Sequence, residues 1–376
     1  MRIGKITQTA WQRYVKKQLH TERTETLFQA SPWERCSGIG GVDHSGAETG
    51  SAFLWADAHV SGKSPRIGYY AAFHAAGELA AKGADLCGIS AYILLPSCAE
   101  EKELRELTAG LVEACERLET QITALRGEVS PVVRENVVSV TGTGLVKIRE
   151  NSSPVGKCSE EGRKDRGTHE ILLCGYAGLE GTLRILDEAE EELGTRFVAS
   201  FLSQTRTLKE ALVTPEQLLS AGKTAAVSAV RQIGSGGILA ALWELGEILD
   251  TGMEVDMSAI ALKQETVEIC EFYRLNPYQM TSAGSFLIAT DEAEAVIEVL
   301  EKAGARAGRL GVTKAQNARV ITSGEEIRYL DRPAPDELAR WTAERAGAQS
   351  VESLAEPCLR SSKIESNILS GGMKNE

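Results

Sequence analysis

Short apolar segments and helical segments alternate along nearly the whole chain of 376 residues. The stretch "SAFLWADAHV", Ser51–Val60, alternates as a half-buried strand does, and the alanine-rich stretch Arg66–Gly83 after it is typical of a helix. A further strand, "CGISAYILLP", ends at Pro96, and the helix that follows has acidic residues in its first turn. Interleaving of this kind restricts the chain to an α/β or α+β fold.

A polar segment, "RENSSPVGKCSEEGRKDRGTHE", divides the chain into two halves of similar size. Its glycine, serine and charged residues are typical of a linker rather than of a packed element. We therefore predict an N-terminal domain over residues 1–150, a linker over 151–170, a C-terminal domain over 171–325 and a charged tail over 326–376.

Two stretches are predicted from local composition alone. Residues 31–50 are rich in glycine and serine, which predicts a loop. The stretch Thr207–Ile233, "TLKEALVTPEQLLSAGKTAAVSAVRQI", predicts continued helix up to a glycine cluster.

Charge and composition exclude several classes of protein. The net charge of −12 argues against binding of nucleic acid or of an anionic membrane. No apolar run reaches the roughly 18 residues of a membrane-spanning helix, and the N-terminal stretch "MRIGKITQTAWQRYVKK" lacks the features of a signal peptide. Eight cysteines form no C-x-x-C pair, so a zinc ribbon is not expected. We expect a cytoplasmic protein with reduced thiols.

The glycine cluster in "RQIGSGGILAALWELGE", Arg231–Glu247, opens directly into a helix. Backbone N–H groups at a helix start can bind phosphate, so Gly234, Gly236 and Gly237 are candidates for a phosphate site. Close packing of the helix against a sheet explains the same glycines equally well.

Several segments in a fixed order resemble one superfamily. They are "AAGELAAKGADLCGISAYILLP", "ALRGEVSP", "YAGLEGTLRIL", "GSGGILAALWELGE" and "LNPYQMTSAGSFLIAT". Their order and spacing are similar to those of the PurM/HypE superfamily, which includes aminoimidazole ribonucleotide (AIR) synthetase, the hydrogenase maturation factor HypE, selenophosphate synthetase and thiamine-monophosphate kinase. The resemblance covers about residues 1–325, and HypE and AIR synthase-related proteins match it best.

The resemblance implies a PurM-like two-domain fold. The N-terminal domain would contribute half of a β-barrel shared by a homodimer, and the C-terminal domain would be an α/β sheet covered by helices. ATP with Mg²⁺ would lie in a cleft at the dimer interface and activate an oxygen of an amide or carbamoyl group. Neither the small-molecule or protein substrate nor a catalytic residue is identified.

Matched position by position, the resemblance implies two overlapping sets of site residues. The residues implied in ATP binding are Asp43, Asp57, Glu78, Arg126, Gly234, Gly236 and Gly237. The residues implied in metal binding are Asp57, Glu78 and Glu128.

The chain also departs from the family pattern. An Asn-Asp pair of the family is Gly77–Glu78 here, Arg126 stands at an Asp or His position, and the neutral Gln232 replaces an Asp. Magnesium takes oxygen ligands, so these changes weaken the implied metal site. HypE ends in an acceptor cysteine, whereas Cys358 lies 18 residues before the end of this chain, which does not support carbamoyl-to-thiocyanate chemistry.

Two hypotheses therefore stay open. The first is an ATP-dependent enzyme with altered metal coordination. The second is a non-catalytic, homodimeric module that binds a nucleotide or another anion.

Overall fold

The computed structural model describes residues 5–21, 23, 25–42, 48–147, 167–224 and 227–345. Their strands form two sheets, one in each half of the chain. The N-terminal sheet has the strand order β1-β2-β5-β3-β4. Its strands are β1 (Cys36–Val42), β2 (Glu48–Gly62), β3 (Asp85–Pro96), β4 (Ile122–Ser130) and β5 (Asn136–Lys147).

Helices α2 (Ile67–Ala81) and α3 (Glu101–Arg117) cover one face of the N-terminal sheet. The strands pair antiparallel except β3 with β4, which run parallel because α3 connects them. Glu100 and Glu103 form a capping box that fixes the start of α3.

Helix α2 is the central element of the molecule. Apart from His74, all of its residues are buried, because it packs on β2 and β5 on one side and contacts β7 and α6 of the C-terminal half on the other. A helix enclosed on all sides needs small residues, which explains its alanines and its glycines.

The C-terminal sheet has the order β12-β11-β8-β10-β6-β9-β7. Its strands are β6 (Glu170–Cys174), β7 (Val227–Gln232), β8 (Gly252–Asp256), β9 (Phe286–Thr290), β10 (Ala307–Lys314), β11 (Arg319–Ser323) and β12 (Glu326–Tyr329). The α-helices outside the N-terminal sheet are α1 (Gln8–Tyr14), α4 (Leu179–Gly194), α5 (Ala199–Thr207), α6 (Pro215–Thr224), α7 (Gly237–Leu249), α8 (Gln264–Tyr273) and α9 (Ala293–Lys302).

The mixed α/β fold with two domains confirms the predicted fold class. Strands β2 and β3 lie where the sequence predicted them. The predicted loop over residues 31–50 is wrong for Cys36–Val42, which is β1. The continuous helix predicted for Thr207–Ile233 is also wrong, because Val227–Gln232 pairs with β9 as strand β7. A six-residue strand after an alanine-rich helix carries too little local signal to be distinguished.

Other predicted segments lie partly outside the described residues. The predicted linker over 151–170 is described only from residue 167 onward, and Cys358 lies beyond the described part of the chain. The predicted tail over 326–376 begins with β12 and contains a helix over residues 337–345. In the described part of the chain, no helix has both the length and the apolar character needed to cross a bilayer.

Candidate functional site

A cavity of about 950 Å³ lies between the two halves of the chain. Strand β2 and helix α2 form one side, and α4 with the connection between β7 and α7 forms the other. Its volume is that of a small-molecule site. The wall includes Lys5, Arg35, Asp57, His74, Glu78, Glu180, Arg184, Gly234 and Asp336.

Arg35 connects two buried carboxylates at this cavity. Its Nη1 donates to Oε1 of Glu78 at 2.7 Å, and its Nη2 donates to Oε2 of Glu244 at 2.8 Å. The Glu78 and Glu244 side chains are 7% and 1% exposed and belong to α2 and α7 respectively. The planar guanidinium group suits this bridging geometry, so one side chain links the two halves of the molecule.

Two further cations surround Glu244. Arg231 Nε donates to its Oε2 at 2.7 Å, and Lys5 Nζ donates to its Oε1 at 2.6 Å. Burial alone would raise the pKa of Glu244, but Arg35, Arg231 and Lys5 together hold that pKa well below its usual range. Burial opposes ionisation of Glu78 as well, and Arg35 and Arg231 lower its pKa. Both carboxylates are therefore ionised and face three positive charges of the chain itself.

The glycine cluster has a packing reason at each position. A Cβ on Gly234 would lie 2.9 Å from Nη1 of Arg35. Gly236 and Gly237 have φ angles of 90° and 68°, the left-handed region that disfavours other residues. The N–H of Gly236 donates to Oδ2 of Asp336 at 2.7 Å. A carboxylate of the chain thus binds the start of α7, and phosphate binding there stays a prediction.

Two departures from the family pattern fit each other in space. Gln232 is fully buried, and its Nε2 donates to the carbonyl oxygen of Phe73 at 3.3 Å. A Cβ on Gly77 would lie only 2.1 Å from that Nε2. The longer, neutral side chain at Gln232 therefore occupies the space that glycine leaves on α2.

A third buried carboxylate, Glu180, lies at the cavity wall on α4. It accepts hydrogen bonds from Thr281 Oγ1 at 2.9 Å and from the N–H of Ala283 at 3.2 Å, and it contacts His74 Nε2 at 2.7 Å and Arg184 Nη1 at 3.3 Å. Burial alone would raise its pKa, but His74, Arg184 and Thr281 together lower the pKa of Glu180 to about 2. The network fixes a negative charge between α2 and α4.

Neither Arg35, Glu244 nor Glu180 was predicted from the sequence. Gly178 precedes the first residue of α4 and has a φ of 74°, and Glu180 lies in the first turn of that helix. A glycine just before an acidic first turn was therefore the only sequence signal that pointed to Glu180. Arg35 lies in a stretch predicted as loop, and its partner Glu244 is 209 residues away in the chain.

The structure brings some of the predicted residues to the cavity and not others. Asp57, Glu78 and Gly234 line it. Asp57 is exposed and accepts a hydrogen bond from Thr141. Residues that the cavity wall does not include are Arg126, Glu128, Gly236 and Gly237. Asp43 lies outside the described residues.

Arg126 and Glu128 both lie on β4, the edge strand of the N-terminal sheet, and both are exposed. Glu128 accepts a hydrogen bond from the hydroxyl of Tyr92 at 2.6 Å. The predicted metal ligands Asp57, Glu78 and Glu128 are therefore divided between the cavity and a sheet edge within one chain. Within residues 5–345, where described, no three His, Cys, Asp or Glu side chains are grouped as metal ligands.

Glu78 and Glu244, the two carboxylates bridged by Arg35, do not fit a magnesium ion. Mg²⁺ requires oxygen ligands at about 2.0–2.1 Å in octahedral geometry. Glu78 and Glu244 could supply carboxylate oxygens, but the guanidinium of Arg35 lies between them. A divalent ion would have to displace Arg35 and would also meet Lys5 and Arg231.

Comparison with known families and structures agrees with this architecture. Residues 49–146 match the N-terminal domain of AIR synthase related proteins, and residues 172–323 match the C-terminal domain of the same family. The two matches correspond closely to the two sheets.

Individual relatives point in the same direction. A Methanocaldococcus jannaschii protein named "Putative hydrogenase expression/formation protein" is 24% identical over 280 residues, covering 73% of this chain and 78% of the relative. Escherichia coli HypE, a hydrogenase maturation protein, has a similar fold, with a TM-score of 0.60, 19% identity, and coverage of 75% of this chain and 86% of HypE. A HypE structure in complex with ATP gives a TM-score of 0.58 at 20% identity, over 76% of this chain and 87% of that protein.

Proposed function

Because this chain belongs to the AIR synthase related family and shares the HypE fold, we propose that its cavity binds a nucleotide such as ATP. A HypE protein of similar fold binds ATP, and the cavity here has the volume for such a ligand. Lys5, Arg35 and Arg184 supply positive charge at its wall. Family membership alone does not identify a reaction, so the proposal depends on these side chains.

In this proposal the nucleotide binds without Mg²⁺ and without turnover, as expected of a non-catalytic binding module. The observation that carries it is Arg35, which bridges Glu78 and Glu244 and so keeps both carboxylates from a metal ion. Losing the metal would remove several kcal/mol of charge stabilisation from the transition state of phosphoryl transfer.

Isothermal titration with ATP, in EDTA and in excess Mg²⁺, tests this proposal. We expect the two dissociation constants to agree within about threefold, and phosphate release to stay at the background rate.

Arg35→Ala should weaken ATP binding about tenfold or more, since it removes a cation from the wall. Arg23→Ala, which removes an exposed arginine paired with Glu25, is the matched control and should bind ATP normally. No binding at millimolar ATP would refute the proposal.

A second candidate is an enzyme that uses ATP to activate an oxygen of an amide or carbamoyl group. Asp57 favours it, because this exposed carboxylate lines the cavity next to Thr141, whose hydroxyl donates a hydrogen bond to it. This candidate requires phosphate release that depends on Mg²⁺ and that Asp57→Asn abolishes. Asp85→Asn, at an exposed position that starts β3, is the matched control.

We also propose that the protein is a homodimer joined through the bare face of the N-terminal sheet. Ile39, Phe53 and Leu145 are 46%, 41% and 49% exposed and lie opposite one another on three adjacent strands. A contiguous apolar row on a monomer surface is typical of an interaction site. A dimer would also bring β4, with Arg126 and Glu128, near a second chain.

A further inference from the structure

The segment after β12 covers one side of the cavity. Residues 337–345 are helical, and Asp336, Leu338, Ala339, Thr342 and Ala343 belong to the cavity wall. This segment lies beyond residue 323, where the match to the family's C-terminal domain ends.

A single carboxylate attaches the covering segment to the start of α7. Asp336 is 4% exposed. Its Oδ2 accepts the N–H of Gly236 at 2.7 Å, and its Oδ1 accepts the N–H of Leu338 at 2.9 Å. Asp336 thus caps the helix over 337–345 and at the same time holds that helix against the glycine cluster.

Apolar contacts hold the helical part of the segment in place. Leu338 and Trp341 are each 3% exposed and pack in a cluster with Ile185 and Ile269 of α4 and α8. The ring of Trp341 lies edge-on to Tyr273, with 5.6 Å between centroids. The segment is therefore docked onto α4, which forms part of the cavity wall, and onto α8.

The docked position includes two unfavourable features. Burial raises the pKa of Asp336 to about 6, even though two amides bond to it, so its charge is only partly compensated. The Nε1 of Trp341 is buried without a hydrogen-bond partner among the described residues. Each unsatisfied or desolvated group weakens docking, which leaves this segment easier to detach than the core beneath it.

We propose that residues 334–345 form a lid over the cavity, that Asp336 is its latch, and that ligand enters when the latch releases from Gly236. The ligand-entry part of this inference depends on the proposed nucleotide binding, whereas the lid itself does not. Lid opening exposes the ring of Trp341, which is 3% exposed in the docked position. Lid opening also exposes the backbone amides of residues 338–345 to hydrogen exchange with the solvent.

Hydrogen exchange of the full chain tests the latch directly. Asp336→Ala removes both acceptors, and we expect amides in 338–345 to exchange about tenfold faster, the size expected from losing a helix cap. Asp331→Ala, an exposed aspartate five residues earlier, is the matched control and should exchange like the unaltered protein. Exchange within β9 must stay unchanged in both variants, which excludes general unfolding.

Two further measurements separate the lid from the nucleotide. Hydroxyl-radical oxidation of Trp341, followed by peptide mass, should be about tenfold faster in Asp336→Ala than in Asp331→Ala without any ligand. The association rate constant of a fluorescent ATP analogue should also be higher for Asp336→Ala than for Asp331→Ala. If no variant binds the analogue, the proposed nucleotide binding fails while the exchange and labelling still decide the lid. Equal exchange and equal Trp341 oxidation in the two variants would overturn the lid.

Discussion

The two sheets of this protein bury their residues differently. In the C-terminal sheet every residue of β9 is buried, and its side chains alternate between two separate cores on opposite faces. In the N-terminal sheet the covered face holds Leu54 and Ala56 at 0% and 1% exposure, whereas Phe53, which precedes Leu54 on β2, is 41% exposed. Among the described residues, the C-terminal sheet is covered on both faces, whereas the N-terminal sheet leaves an apolar face without cover.

This difference shows where the molecule is stabilised and where it can associate. Apolar residues covered on both faces stabilise the fold of one chain. The exposed row of Ile39, Phe53 and Leu145 adds little to that stability and is available to a partner surface. Four predictions test the comparison.

The largest expected effect is in the C-terminal sheet. Phe286→Ala removes a fully buried ring from β9 and should lower the free energy of unfolding by about 3–5 kcal/mol. Phe53→Ala should change it by about 0.5 kcal/mol when measured at protein concentrations that keep the chains dissociated. Urea unfolding followed by circular dichroism measures both. Similar losses in the two variants would contradict the contrast between the sheets.

A comparable effect is expected where the two halves meet. Glu180→Gln leaves His74 and Arg184 without their buried anion and should destabilise the protein by about 3–5 kcal/mol at pH 7. The folded-state pKa of Glu180, about 2, is below its unfolded value. Its contribution is therefore complete above about pH 4.5 and is lost as the pH falls towards 2.

Urea unfolding between pH 7 and pH 3 checks this pH dependence. The stability of Glu180→Gln should fall less steeply with acid than that of the unaltered protein. Glu191→Gln, at an exposed position on the same helix, should reproduce the unaltered profile. Parallel profiles for the two variants would show that the Glu180 network does not set the acid limit.

A smaller effect, on association alone, is expected at the bare face. Phe53→Lys places a charge in the apolar row and should weaken homodimerisation at least tenfold, measured by sedimentation equilibrium. Ile327→Lys changes an equally apolar residue that is 74% exposed on β12, and it should leave association unchanged. Dimers of equal strength in both variants would place the interface elsewhere.

The smallest effects are expected on β4. Arg126→Gln and Glu128→Gln lie outside the cavity of one chain, so ATP affinity should change by less than about twofold in a titration. A tenfold loss in either variant would mean that β4 of one subunit completes the cavity of another. That result would support the family-based prediction that Arg126 binds ATP and that Glu128 binds metal.

The sequence was informative where a local pattern repeats. Period-two alternation predicted β2, because the inward and outward residues of a half-covered strand differ in character. Strand β4 gave no such pattern, since residues 123–129 are exposed on both faces. Strand β7 was mistaken for helix because it is short and follows alanines.

The candidate site was predictable only in part. The family pattern placed Asp57, Glu78 and Gly234, and these do line the cavity. It also marked Gln232 as a departure, but only the structure shows that this side chain fills the space beside Gly77. Ligand roles for Asp57, Glu78, Glu128 and the glycines stay predictions.

The sequence by itself determined the mixed fold, the family and two acids of the cavity wall, Asp57 and Glu78, since all of these depend on residue order and short-range periodicity. Only the tertiary structure decided that Arg35 lies between Glu78 and Glu244 and that Asp336 binds Gly236. The partners in these contacts are 43, 209 and 100 residues apart. Pairings over such separations are set by how remote elements pack and exclude water, and no local pattern of residues encodes them.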